Sequence, residues 1–135
     1  MKEVKALIEK GKDGLYAITS DAKFGNSYLG GYGESVEDAK EDFVESIKEA
    51  LEEAKQEGLQ HPGIEELRVV YTYDLPSFFN YFDFINLSKF ASLTKINESK
   101  MRQYKSGIAH PGEKTTRKIL STIKHIGTEL SNANL

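Results

Sequence analysis

The chain has 135 residues, enough for one ordinary domain or two small ones, and its 39% apolar and 29% charged content describes a soluble globular protein. It holds no cysteine, which excludes a disulfide framework and any thiolate metal site. The net charge of −3 hides a division: residues 1–75 carry 9 Lys/Arg against 17 Asp/Glu, a net −8, and residues 76–135 carry 9 against 4, a net +5. Such a split suits two functional halves, one able to approach phosphates and one repelled by them. The opening stretch Met1–Gly14 is charged throughout and is no signal peptide, and no run nears the ~18 apolar residues of a membrane span, so a cytoplasmic location without membrane contact is expected.

Glu3 to Lys10 alternates Val4, Ala6 and Ile8 against Lys5, Leu7 and Glu9, the pattern of a strand with one face more buried. A turn over Gly11–Gly14 leads to a returning strand, Leu15 to Thr19. A polar loop through Asp21, Gly25 and Asn26 is expected next, then a third strand around Ser27 to Tyr32, whose glycines Gly30, Gly31 and Gly33 imply a bulge or a close backbone approach. Ser35 opens the clearest helix of the chain, with Asp38 placed for a capping box and Gly58 for the stop. Its apolar stripe is Val36, Ala39, Phe43, Ile47, Ala50, Leu51 and Ala54. The other face is acidic, with Glu37, Glu41, Glu45, Glu49 and Glu53 in one i,i+4 row. That row is either a solvated face or a docking face for a basic partner. A turn at His61-Pro62-Gly63 precedes a fourth strand, Leu67 to Tyr73, which completes an α+β layer over residues 1–74.

Asp74-Leu75-Pro76-Ser77 breaks the pattern and marks a boundary, with residues 76–135 as a second, all-α domain. Phe78 to Phe84 reads as its first helix, the aromatic cluster serving as core or as a dimer contact. Asn86 to Gly107 reads as two short helices around a tight turn, with Phe90, Ala91, Ile96, Met101 and Tyr104 inward. This is helix-turn-helix spacing, in which the second helix presents its first turns to the DNA major groove. The outward residues are Ser99, Lys100, Arg102, Gln103 and Lys105, with Asn97 as N-cap. Ser99, Lys100 and Gln103 are candidates for base edges; Arg102, Lys105, Lys114 and Thr115 are candidates for phosphates. The alternative is a helical bundle with a merely solvated basic face. A last helix starts at Gly112 or Glu113, with Thr116, Ile119, Leu120, Ile123, Ile126 and Leu130 in its apolar stripe and a frayed end from Ser131.

Catalytic arrangements are poor. His61, His110 and His125 are scattered without a partner at ligand spacing, there is no nucleophile elbow, and Gly30-Gly31-Tyr32-Gly33 lacks the lysine and spacing of a phosphate-binding loop. No enzyme activity, metal or cofactor is expected.

The Ala-containing helix, the second helix ending near Gly107, the loop with Pro111 and the helix after it resemble an Xre/Cro-type repressor domain. Lys95 stands where that family usually has Gly; a left-handed lysine costs on the order of 1 kcal/mol, so a remodelled turn is expected. The two hairpin strands, the Gly-ended third strand and the helix segment Gly33–Leu51, followed by such a tail, resemble a HicB-type antitoxin over nearly the whole chain. The family often carries a Pro-Asp-Leu-Pro-Gly-Cys-like stretch before the helix; here Asn26–Gly33 keeps the glycine and the helix start without the prolines. The resemblance implies a degenerate, inactive RNase H-like domain that covers a small basic HicA-type mRNA-cleaving toxin. It also implies a tail that binds the operon's own promoter DNA, and a homodimer or tetramer. The rival readings are a stand-alone regulator whose N-terminal domain dimerises or senses a ligand, and an RNase H-like enzyme, for which the first strand offers only Glu3 and Glu9 at its ends.

Overall fold

Alternation places Val4, Ala6 and Ile8 on the fully buried face of the first strand, β1 (Lys2–Lys10). The computed structural model describes every residue from Met1 to Leu135 as a mixed α+β chain with one four-stranded sheet and five helices. Two units are distinguished, Met1–Ser77 and Phe78–Leu135. Neither Pro76 nor Ser77 is charged, so the units carry the same −8 and +5 as the two stretches counted above.

In the first unit, β2 (Tyr16–Phe24) runs antiparallel to β1 and is longer than its sequence suggests. Asp21 belongs to this strand rather than to a loop, and only Gly25 and Asn26 connect it to β3 (Ser27–Gly33). Gly25 takes φ 59°, the positive value that a two-residue hairpin turn demands where glycine comes first. The register slips between Thr19 and Lys23, so the bulge lies in β2. Ser20 Oγ supports that slip by donating to Lys5 O and accepting from Ala22 N.

The glycines of β3 serve close approach instead. A Cβ built on Gly31 would lie 2.6 Å from Ala39 O and Phe43 N, and one on Gly33 would lie 2.6 Å from Ala39 N. All three contacted atoms belong to the backbone of α1 (Val36–Gln56), which rests directly on the strand. Ser35 Oγ accepts from Asp38 N at 3.0 Å to start α1, and Gly58 at φ 70° follows its C-cap Glu57. Val36, Ala39, Phe43, Ile47, Ala50, Leu51 and Ala54 are all buried. Each of the larger ones contributes about 1.5–3 kcal/mol. Like charges along the acidic row cost only a few tenths of a kcal/mol per pair, so burial decides that the helix forms.

A 3-10 turn, Ile64–Glu66, leads into β4 (Leu67–Tyr73), which pairs parallel with β1, Val4 opposite Val69 and Ile8 opposite Tyr73. The sheet order is β3-β2-β1-β4, so the crossover through α1 carries the chain from one edge to the other. α1 packs on β3 and β2. Tyr71 of β4 meets the Phe43 ring edge-on at 6.4 Å, and burial pushes its hydroxyl above the ordinary tyrosine pKa.

The next helix, α2 (Leu75–Tyr81), begins where the sequence reads as a break. Pro76 is tolerated because it sits in the first turn, and Asp74 Oδ2 accepts from Ser77 N at 3.3 Å. The expected helix over Phe78–Phe84 is therefore shifted toward the N-terminus; Phe82, Asp83 and Phe84 follow it, and Phe84 is 74% exposed. Phe79 is the core member of the aromatic cluster, stacked edge-to-face on Phe90 at 5.5 Å.

Phe90 and Ala91 are buried in α3 (Leu87–Thr94), and Met101 and Tyr104 in α4 (Glu98–Ser106). Both α4 and α5 (Glu113–Asn132) pack on α3. In α5 the apolar stripe is largely uncovered: Ile119 alone is buried, Thr116 is exposed, and Leu120 and Leu130 are 50% and 62% exposed. Helical periodicity identified the stripe, but periodicity does not supply a partner for it. α5 runs through Ser131 and Asn132, and Ala133–Leu135 lie beyond its end.

Candidate functional site

The turn between α3 and α4 determines how α4 is held. Lys95 itself takes the left-handed conformation, φ 58° and ψ 35°, so the turn is not remodelled around the missing glycine. Ile96 N donates to Ala91 O at 3.1 Å and Lys95 N to Ser92 O at 3.2 Å, the bond pattern of a Schellman helix end. From α5, Lys118 Nζ donates to Lys95 O at 3.5 Å. Lys95→Gly should raise stability in chemical denaturation by about 0.5–1 kcal/mol, since the bonds use backbone atoms and only the left-handed strain is relieved.

Asn97 then caps α4, its Oδ1 accepting from Lys100 N at 3.2 Å. Buried Thr94 adds a contact that the sequence pattern does not reveal, donating from Oγ1 to Ala91 O at 2.9 Å. Met101 and Tyr104 anchor one side of α4, and Gly107 at φ 82° ends it. On the rest of the helix Ser99, Lys100, Arg102 and Lys105 are exposed and Gln103 is half-buried.

These residues do not form one flat face. At roughly 100° per residue, Ser99 and Gln103 share a line opposite the anchors, Arg102 lies beside them, and Lys100 and Lys105 fall on opposite flanks. Lys100 Nζ sits 5.8 Å from the Tyr104 ring centroid, and Arg102 pairs with Glu98 at 3.6 Å. The pair is exposed, so it holds Arg102 by at most ~1 kcal/mol and leaves it available to another anion. Lys114 is exposed and Thr115 half-buried in the first turn of α5, apart from the α4 group. Arg117 pairs with Glu113 at 3.1 Å.

In the first unit, Glu37, Glu41, Glu45 and Glu49 are exposed along α1, with Glu45 paired to Lys48 at 3.5 Å. A second line of polar groups on α1 has a structural task. Asp42 Oδ2 accepts from Tyr32 N at 2.9 Å, Ser46 Oγ accepts from Gly30 N at 3.2 Å, and Glu53 Oε2 accepts from the Ser27 hydroxyl at 2.6 Å. Two of these bonds satisfy backbone N–H groups of β3, and the third a side-chain hydroxyl at its start. On that strand Tyr28 and Tyr32, which charge patterning passes over, are 75% and 65% exposed.

The histidines stay apart: His61 Nδ1 lies 3.0 Å from Pro62 O, His125 lies 3.6 Å from Glu129, and His110 is exposed in a loop. No group of three or more His, Asp or Glu side chains could hold a metal ion, and no helix is long and apolar enough to cross a membrane. Set against family models, curated proteins and solved structures, the chain matches none of them.

Proposed function

We propose that this chain is a non-enzymatic antitoxin of the HicB type that also represses its own operon. In this reading Met1–Ser77 is a degenerate RNase H-like domain that binds a small basic HicA-like mRNA-cleaving toxin. Phe78–Leu135 is the helix-turn-helix domain that binds operator DNA, and the chain works in the cytoplasm as a homodimer or tetramer. The observation that carries the reading is the α3–turn–α4 geometry in a unit of net charge +5: a capped helix anchored by Met101 and Tyr104 that holds Ser99, Arg102 and Gln103 outward. A basic helix held rigidly by one side is what entry into a major groove requires. The −8 charge of the other unit, with Glu37, Glu41, Glu45 and Glu49 exposed, supports a basic protein partner and disfavours nucleic acid there.

Titration of a labelled duplex from the chain's own upstream region tests the DNA half. Gln103→Ala removes a group able to pair with adenine and should weaken binding about 5–100-fold, selectively for the operator. Lys100→Ala should also weaken operator binding; a loss shared by all duplexes, with the salt dependence flattened by about one unit, would reassign Lys100 from a base edge to a phosphate. Unchanged affinity in both variants would remove the α4 assignment. A chain that binds operator but captures no basic protein would be a stand-alone regulator.

A further inference from the structure

The charges of α1 are not evenly mixed around the helix. At roughly 100° per residue, its three lysines, Lys40, Lys48 and Lys55, all fall on the side away from β3. Lys40 marks that side, with Nζ 4.5 Å from the ring centroid of Tyr71 on β4. The side toward β3 carries Asp38, Asp42, Glu49 and Glu53, all exposed and with no lysine among them. Asp42 and Glu53 are fixed there by neutral donors, Tyr32 N and the Ser27 hydroxyl. None of the four is in an ion pair, so their charge is held in place and left uncompensated.

Two aromatic rings adjoin these carboxylates. Leu29 and Gly31 are buried under α1, so strand alternation turns Tyr28 and Tyr32 to the other face of the sheet, 75% and 65% exposed. Gly30 lies between them and Ala17 stands opposite Tyr32, and neither is large enough to cover a ring. Asp42 Oδ2 is 2.9 Å from Tyr32 N, which makes rings and carboxylates one surface. Lys23 Nζ sits 4.9 Å from the Tyr28 ring centroid, the contact that a partner's cation makes with an open tyrosine. Rings beside unpaired carboxylates suit arginine, whose guanidinium plane stacks on the ring while its N–H groups bond the carboxylates. The same four charges repel a nucleic acid.

We infer that Tyr28, Tyr32 and the lysine-free side of α1 form the surface that grips a small basic protein, with arginines of the partner stacked on the two tyrosines. The inference rests on the proposed function in taking a basic protein as the partner, and it gives the two sides of α1 separate tasks. Glu37, Glu41 and Glu45, which have lysines close by, add long-range attraction and set the rate of encounter. The tyrosine side sets how long the complex lasts, because buried aromatic anchors dominate the hold of an interface.

Titrating the isotope-labelled full chain with an alternating Arg-Gly peptide, followed by amide chemical shifts, maps the surface. The peptide should shift the amides of β3, Asp38, Asp42 and Glu53 and leave those of Lys40, Lys48 and Lys55 in place. Tyr28→Ser with Tyr32→Ser should weaken peptide binding about 5–30-fold, the size of two exposed cation–π contacts, with an unchanged far-ultraviolet circular dichroism spectrum. Tyr28→Phe with Tyr32→Phe keeps both rings and should bind as the parent does. Shifts centred on the lysine side, no shifts, or a folded Ser pair that binds as tightly as the parent would each overturn the inference. Capture of a neighbouring gene's basic product by the parent and the Ser pair alike would also overturn it and leave the antitoxin reading standing. A peptide that maps to the tyrosine side, with no basic protein encoded beside the chain captured, would leave the surface standing and count against the antitoxin reading alone.

Discussion

Gly31→Ala is expected to unfold the first unit under conditions where the parent chain is stable. The added methyl would lie 2.6 Å from Ala39 O and Phe43 N and 2.9 Å from Phe43 Cα. None of these atoms can move as a side-chain tip would, because all belong to the backbone of α1. The helix would have to lift from β3, uncovering Phe43, which is 0% exposed, and Ile47, which is 2% exposed. Overpacking costs typically about 1–3 kcal/mol when side chains can adjust, and a backbone clash belongs at or beyond the top of that range. Marginal stability of about 5–15 kcal/mol makes such a loss visible as a large fall in melting temperature. Gly30→Ala is the internal control: its Cβ would approach nothing nearer than Ile18 O at 3.6 Å, so it should change stability far less. Equal losses in the two variants would contradict the close approach of α1 to β3.

The second large effect concerns Met101, fully buried on the inner side of α4. Met101→Ala should cost about 2–5 kcal/mol, the range for deleting a buried methionine with partial collapse of the cavity. The loss falls on the unit that presents Ser99 and Gln103, so under the proposed function operator binding should fail as this unit melts. The first unit has its own core in Val4, Ile8, Phe43 and Ile47 and should keep its strand signal. Thermal melting followed by amide exchange would separate the two responses. A uniform loss of protection across both units would mean that they unfold together.

The legible parts of the fold were those where a local rule acts alone. Ser35, the apolar stripe and Gly58 bracket α1 because cap, periodicity and left-handed stop all coincide. Asn97, Met101, Tyr104 and Gly107 do the same for α4. Elsewhere two rules competed. Asp21 and Lys23 look like loop residues by polarity, yet they are exposed positions of a bulged strand. Pro76 reads as a breaker, although proline is a good residue in a first helical turn, and α2 uses it there. At Lys95 the cost of a left-handed lysine suggested a different turn; two backbone bonds, from Lys95 N to Ser92 O and from Ile96 N to Ala91 O, hold the strained one instead.

The candidate site was legible as a list and less so as an arrangement. Residue type and exposure identified Ser99, Lys100, Arg102, Gln103 and Lys105, but the angle subtended by five residues separates Lys100 from Lys105. The acidic helix likewise held two sets of groups that composition cannot tell apart. All of them are exposed, but Asp42 and Glu53 also bond β3, whereas Glu37, Glu41, Glu45 and Glu49 do not. Only the position of α1 over the sheet distinguishes them.

Whether the acidic unit binds a basic toxin is decided by looking for a short basic reading frame beside this one and co-expressing its product with the chain. Both complex recovery and cell growth would be followed. The expected result is a stable complex that restores growth, weakened when Glu37, Glu41, Glu45 and Glu49 are all changed to Gln and strengthened at low ionic strength. No complex, and no toxicity of the basic protein expressed alone, would contradict the antitoxin reading and leave the acidic row of α1 as a solvated surface.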